Sequence, residues 1–309
     1  MILLGILAAS GAGVTGGVAG YAAGGRSGSS NVTTVDKFAF PSDSRTTLGT
    51  GLSAAVYAAT SMSNSGVAGY VAGGTTTSNN SGIIDTVNKF AFPSDSRTTL
   101  GTGLSAARRA AAGISNSGVA GYIAGGTPET TTVDKFLFSD DSRSTLGTGL
   151  SSARRASPMS NSGVAGYAAG GYTGSTNVTT VDKFSFPSDS RSTLGTGLSS
   201  ARREGAGMSN SGTAGYIAGG ETASFVSTVD KFSFPSDSRS TLGTGLSSSR
   251  SSAAGISNSG VAGYAAGGFG VSDLATVDKF AFPSDSRTTL GTGLSSARQS
   301  AAGFQNENI

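Results

Sequence analysis

Five arginines are spaced so that they could act as a group. Arg108, Arg154, Arg202, Arg250 and Arg298 each end a G-L-S-x-x-R segment, and Val56 holds the sixth equivalent position. A sixfold arrangement would set them in a ring at one mouth of a channel, where charge-assisted hydrogen bonds could hold an anion or a carboxylate. The competing reading makes each Arg a cap for strand-end carbonyls and a partner for repeated Asp residues. The next position carries Arg109, Arg155 and Arg203 against Tyr57, Ser251 and Gln299.

Other charges recur once per copy. Asp36-Lys37, Asn88-Lys89, Asp134-Lys135, Asp182-Lys183, Asp230-Lys231 and Asp278-Lys279 form one series, and Asp43 with Arg45 begins a second. Such regularity points to scaffold. In F-P-S-D-S-R, Pro fixes φ while Asp and Ser side chains accept nearby backbone N–H bonds, so the segment is expected to be a tight turn. No D-x-D-x-D-G loop is present, so no metal site is expected. Glu129, Glu204 and Glu221 are not repeated, and no isolated acidic pair suggests a two-carboxylate hydrolase. Neither an enzyme nor a cofactor is expected.

Composition narrows the field further. The chain has 309 residues, with no Cys and no His, which removes zinc fingers, thiolate nucleophiles, disulfides and every His-based triad. Gly accounts for 49 residues, too many for an ordinary helical core. The net charge of +3 does not call for nucleic acid.

These residues sit on repeats. The segment G-Y-x-A-G-G places Tyr at positions 21, 70, 122, 167, 216 and 264, and the D-S-R arginine falls at 45, 97, 143, 191, 239 and 287. Both anchors count six units, favouring one closed or stacked repeat architecture. In the third unit, residues 110–114, 119–124, 132–138 and 145–150 are β-compatible runs separated by Asn-Ser-Gly, Gly-Gly and Asp-Asp-Ser turn chemistry. In V-D-K-F-x-F the two Phe share one strand face, while Val and the Lys stem share the other. The expected fold is all-β: a six-bladed β-propeller with four antiparallel strands per blade, a β-solenoid being the main rival. The small residues of V-A-G-Y-x-A-G-G suit a strand near the crowded axis. The twelve repeated Phe suit the gaps where blades splay apart.

On these residues the chain resembles the kelch-type propellers. The points of likeness are Tyr122 with Gly125 and Gly126, then Lys135-Phe136, then Arg108 or Arg154 closing the unit. The resemblance implies a propeller and carries little about function. It departs from the family in having no Trp, and in placing Leu and Thr where the family has an aromatic in the fourth strand, T-L-G-T-G-L. The copper chemistry of the kelch-like galactose oxidases does not carry over, because the Cys and His it needs are missing.

The expected organisation is an apolar arm over residues 1–7, the propeller over 8–304 and a tail over 305–309. Met1 to Ala9 is the only strongly apolar run, too short to span a bilayer. It resembles a secretory h-region but has no Lys or Arg before it, so an arm packed on the domain is the simpler reading. Residues 300–304 match the strand that begins other units, and residues 8–14 occupy the same place before the first Tyr motif. One end would close the ring, leaving the other as an arm or as a strand for self-association.

The copies differ mainly after Gly-Gly, over residues 26–31, 75–84, 127–131, 172–177, 221–225 and 269–274. Variable loops on a repeated scaffold gather at one rim, where repeat proteins bind. Tyr172, Phe225 and Phe269 would offer exposed aromatic platforms there. The composition looks like that of virus-particle and cell-surface proteins, notably bacteriophage structural proteins. The expected role is a structural or adhesive module with a protein partner in a virion or extracellular assembly. A glycan-binding lectin using the same loops is the alternative.

Overall fold

The computed structural model describes residues 18–77 and 81–307. Six four-stranded antiparallel sheets are arranged as a β-propeller, with no helix among the described residues. The inner strands are Thr60–Asn64, Ala112–Asn116, Arg155–Asn161, Ala206–Asn210, Ala254–Asn258 and Ala302–Asn306. Each packs on the next, and the last packs on the first, so the ring is closed.

The innermost position belongs to A-G-I-S-N and its copies, with G-Y-x-A-G-G second. This corrects the expectation from residue size, and backbone proximity explains it. A Cβ on Gly113 would collide with the Ser61 carbonyl, one on Gly207 with the Pro158 carbonyl, and one on Gly255 with the Gly207 carbonyl. Near the axis, neighbouring inner strands touch backbone to backbone.

The outer strand also differs from expectation. It is the S-R-[ST]-T segment, Arg143–Thr145 in the third blade, and not the T-L-G-T-G-L run. Leucines of that run, such as Leu104 and Leu150, are buried from a loop, which gives the run a strand-like pattern. The repeated Phe do fill inter-blade gaps: Phe138 stacks on Tyr70 at 5.2 Å and Phe186 on Tyr122 at 5.1 Å.

The C-terminal strand closes the ring. Ala302–Asn306 pairs antiparallel with Ala19–Ala23, and the Phe304 ring stacks on Tyr21 at 4.7 Å. Gln305 and Asn306 therefore belong to the propeller, past the boundary expected at 304. The arm over residues 1–7 and the candidate extra strand over 8–14 lie outside the described residues.

Two families of charged contacts stitch the blades together. The Asp of each F-P-S-D-S-R turn has φ near 55° and reaches the preceding blade. Asp189 accepts the Tyr122 hydroxyl at 2.7 Å and the Lys135 ammonium at 2.6 Å, and Asp43 accepts Tyr264 and Lys279 across the closure. The turn is present as expected, but its Asp serves the neighbouring blade; local N–H bonds go to serines such as Ser42. The second family is the buried Arg–Asp pairs of the next section.

Inner strands run from one face of the ring to the other. At their far end serines form tiers around the axis. Ser63 N–H donates to Ser115 Oγ at 2.8 Å, Ser115 N–H to Ser160 Oγ at 2.9 Å, and Ser160 N–H to Ser209 Oγ at 2.8 Å. Replacing Ser115 by Ala leaves the Ser63 N–H without its acceptor beside the axis. The expected loss is about 1–3 kcal/mol in urea unfolding, against near-neutrality for alanine at exposed Ser188.

Candidate functional site: the loop-side mouth of the channel

Because the second strand runs antiparallel to the inner one, each Gly-Gly loop emerges where the inner strand begins. The described residues of all six variable loops therefore share a face with the opening of the channel between residues 57–61 and their copies. Gly125 and Gly126 make this turn possible. Both have positive φ, and a Cβ on Gly125 would collide with the Arg154 carbonyl.

The arginines first considered for the mouth do not reach it. Arg154, Arg250 and Arg298 are fully buried, and Arg108 and Arg202 nearly so. Each pairs with an Asp of the following blade: Arg108 with Asp134 at 2.8 Å, Arg154 with Asp182 at 3.0 Å, Arg202 with Asp230 at 2.9 Å, Arg250 with Asp278 at 2.9 Å, and Arg298 with Asp36 at 2.9 Å. Other guanidinium protons go to strand carbonyls, as in Arg154 to Gly170 and Ala168. Burial alone would raise the Asp182 carboxyl. The Ser151 N–H, the Thr193 hydroxyl, Arg154 and the Ser151 hydroxyl together hold it below its ordinary value. These five arginines link blades and present no open ring to an anion.

The mouth is built from the next residue along. Tyr57, Arg109, Arg203, Ser251 and Gln299 each bridge to the first residue of a variable loop, respectively Thr75, Thr127, Glu221, Phe269 and Arg26. Arg155 pairs with Tyr172 in the same way. Six such pairs flank the opening, their residues varying from blade to blade although Arg recurs at three of the mouth positions and Thr at two of the loop positions, and each loop is tied to the mouth by one backbone pairing.

Inside this ring lies a cavity of about 240 Å3, whose lining includes Tyr57, Arg109, Arg155 and Glu204. Backbone N–H groups run around part of it: Ala110 donates to Ala58, Ala58 to Ser300, Ser300 to Ser252, and Ser252 to Glu204. The series is interrupted at Ala156, where the strand register shifts between Arg155 and Ser157. Ala58, Ala110, Glu204, Ser252 and Ser300 all have φ between 52° and 58°, while Ala156 does not share this left-handed geometry.

The charges here are unevenly matched. Glu204 accepts the Ser252 hydroxyl at 2.7 Å and lies 3.6 Å from Arg155 and 4.0 Å from Arg203. Arg203 also pairs with Glu221 at 2.7 Å, and Arg155 lies 3.7 Å from Glu129. Burial pushes the Arg155 guanidinium below its ordinary value, Glu204 and Glu129 oppose that, and Arg109 and Arg203 reinforce it. Arg109 has no carboxylate partner among the described residues. It lies over the Tyr57 ring at 5.8 Å, and its Nε is buried without an acceptor.

The three loop aromatics are half-buried. The Tyr172 ring is covered by Arg155 at 4.7 Å and Arg203 at 5.1 Å, and its hydroxyl donates to the Gly174 carbonyl. Phe225 and Phe269 meet edge to face at 5.6 Å. They brace one another and the rim, in place of the bare platforms expected. Sequence reasoning gave Arg109 and Arg155 less weight than their neighbours. The signal that could have found them is that their position varies from copy to copy while the preceding one hardly does.

The architecture defines a six-bladed β-propeller. Among solved structures the chain is similar to YjhT, with a TM-score of 0.68 and 14% identity over 87% of this chain and 97% of that one. At that identity the likeness is one of fold. No family model matches the sequence, and no curated protein matches it. Among the described residues no helix is long and apolar enough to cross a membrane.

Proposed function

We propose that the chain is a non-enzymatic, kelch-type propeller acting as a structural or adhesive module of a virus particle or extracellular assembly, docking a partner protein through its loop face. One observation carries this reading. The six units are near copies through their strands and inter-blade bonds, whereas the non-repeated residues converge on one face, around one opening. A scaffold alone has no need for individuality there. Glu204 is already bonded to Ser252 and flanked by two arginines, an arrangement suited to binding rather than to proton transfer.

The test is co-sedimentation with particles or surface assemblies from the source cells, run beside a glycan array. The expected result is a blank array, with co-sedimentation weakened about 10- to 100-fold by replacing Tyr172 and Phe269 with Ser, as for loss of packed aromatic anchors. Array binding without co-sedimentation would overturn the assembly role in favour of a lectin. That second reading draws support from a cavity of roughly monosaccharide size with an aromatic wall.

A further inference from the structure

We infer that the axial cavity binds a carboxylate-bearing small molecule, with the carboxylate held by Arg109, on the blade beside Arg155. The inference rests on reading the loop face as a binding face, and adds the chemistry of its deepest point.

Three independent features converge. The first is charge. Arg109 and Arg155 stand on adjacent blades and both line the cavity, where Glu204 is the acid that lines it with them. Glu204 lies 3.6 Å from Arg155 and 4.0 Å from Arg203 and takes the Ser252 hydroxyl, so it is engaged on that side of the opening and does not pair with Arg109. Arg155 is offset by Glu204 at 3.6 Å and Glu129 at 3.7 Å, so the charge left without a carboxylate beside the cavity, among the described residues, is that of Arg109. The second is unused bonding capacity. The Arg109 guanidinium makes no hydrogen bond or ion pair among the described residues, whereas the Arg155 Nε faces Glu129 at 3.7 Å. A guanidinium fork matches the two oxygens of a carboxylate, and a planar oxyanion supplies the acceptors that the protein does not. The third is shape. A cavity of about 240 Å3 exceeds the roughly 150 Å3 that accommodates a benzene ring, so it has room for a molecule of about monosaccharide size.

Position supports the same assignment. The ring of backbone hydrogen bonds is interrupted at Ala156, between the strands that carry Arg109 and Arg203 and next to Arg155 itself. The wall is therefore least regular beside Arg155, on the blade next to the one that carries Arg109. Pro158 stands in this strand where four of the other five inner strands have Gly, so the departure is written into the chain.

The probes are glucuronate and glutarate as carboxylates, with glucose as the neutral counterpart, titrated calorimetrically into the full chain at low ionic strength. Binding of one or both acids but not glucose is expected, distinguishing an acidic sugar from an aliphatic diacid as the source of the carboxylate. Arg109→Ala should weaken it at least 10-fold and Arg109→Lys less, with both variants keeping the wild-type melting temperature within a few degrees. Failure of both acids to bind, equal binding of glucose, or unchanged affinity in Arg109→Ala overturns the inference. Co-sedimentation retained alongside such a failure would leave the docking role standing without it.

Discussion

Asp182→Asn should destabilise the propeller by about 3–5 kcal/mol, because it leaves the fully buried Arg154 guanidinium without its counter-charge. The reverse single change, Arg154→Val, strands a buried carboxylate, although Ser151 and Thr193 still hold it. The double variant should recover much of the loss. The chain already contains that experiment: the blade with Val56 in place of Arg faces a blade with Asn88 in place of Asp, and the pair packs with Asn88 accepting the Ser53 N–H at 3.2 Å. Both charges are absent together. A coupling energy of about 2 kcal/mol or more in a double-mutant cycle of Arg154→Val and Asp182→Asn is the expected outcome. Additive losses would mean that the ion pair is not the unit of stability between these blades.

Alkaline pH should unfold the protein steeply. Burial, together with the hydrogen bond to and the charge of an inter-blade Asp, raises the phenols of Tyr21, Tyr70, Tyr122, Tyr167, Tyr216 and Tyr264 above the ordinary tyrosine value. In the unfolded chain these groups titrate near pH 10. A raised folded value means that the native state retains protons the unfolded state has released. Stability is thus intact below about pH 10 and falls as pH rises beyond it. With six such groups the limiting slope is about 8 kcal/mol per pH unit, from about 1.4 per proton. Phenolate absorbance at 295 nm and far-UV circular dichroism should change together between about pH 10 and 12. Tyr122→Phe should reduce the slope by about one proton. Phenolate signal from six groups in a still-folded protein would contradict the expectation.

The architecture was readable because it is repeated: two unrelated anchors, G-Y-x-A-G-G and D-S-R, both count six, and turn chemistry divides each unit into four. Which strand lies innermost was harder to read. Ala-Gly-Ile-Ser-Asn and Ala-Gly-Tyr-Ile-Ala are both small-residue strands, and only the approach of the Gly113 backbone to Ser61 distinguishes them. The outer strand was obscured because a polar edge such as Arg143–Thr145 has no buried face to impose an alternating pattern, while the adjacent T-L-G-T-G-L run buries its Leu from a loop. At the mouth, periodicity was misleading about location. Arg108 and its equivalents recur because five of the six blade junctions use them inside, whereas Arg109 and Arg155 line the cavity. Val56 and Asn88 were each visible as exceptions. That they meet depends on blade-to-blade packing, which adjacency along the chain does not reveal.

Closure by Ala302–Asn306 also governs how the molecule can be made. Until those residues leave the ribosome, Ala19–Ala23 lacks the strand it pairs with in the closed ring, and that pairing must wait for nearly the whole of translation. A nascent ring in that condition carries an unsatisfied strand edge that a neighbouring chain's terminal strand fits equally well.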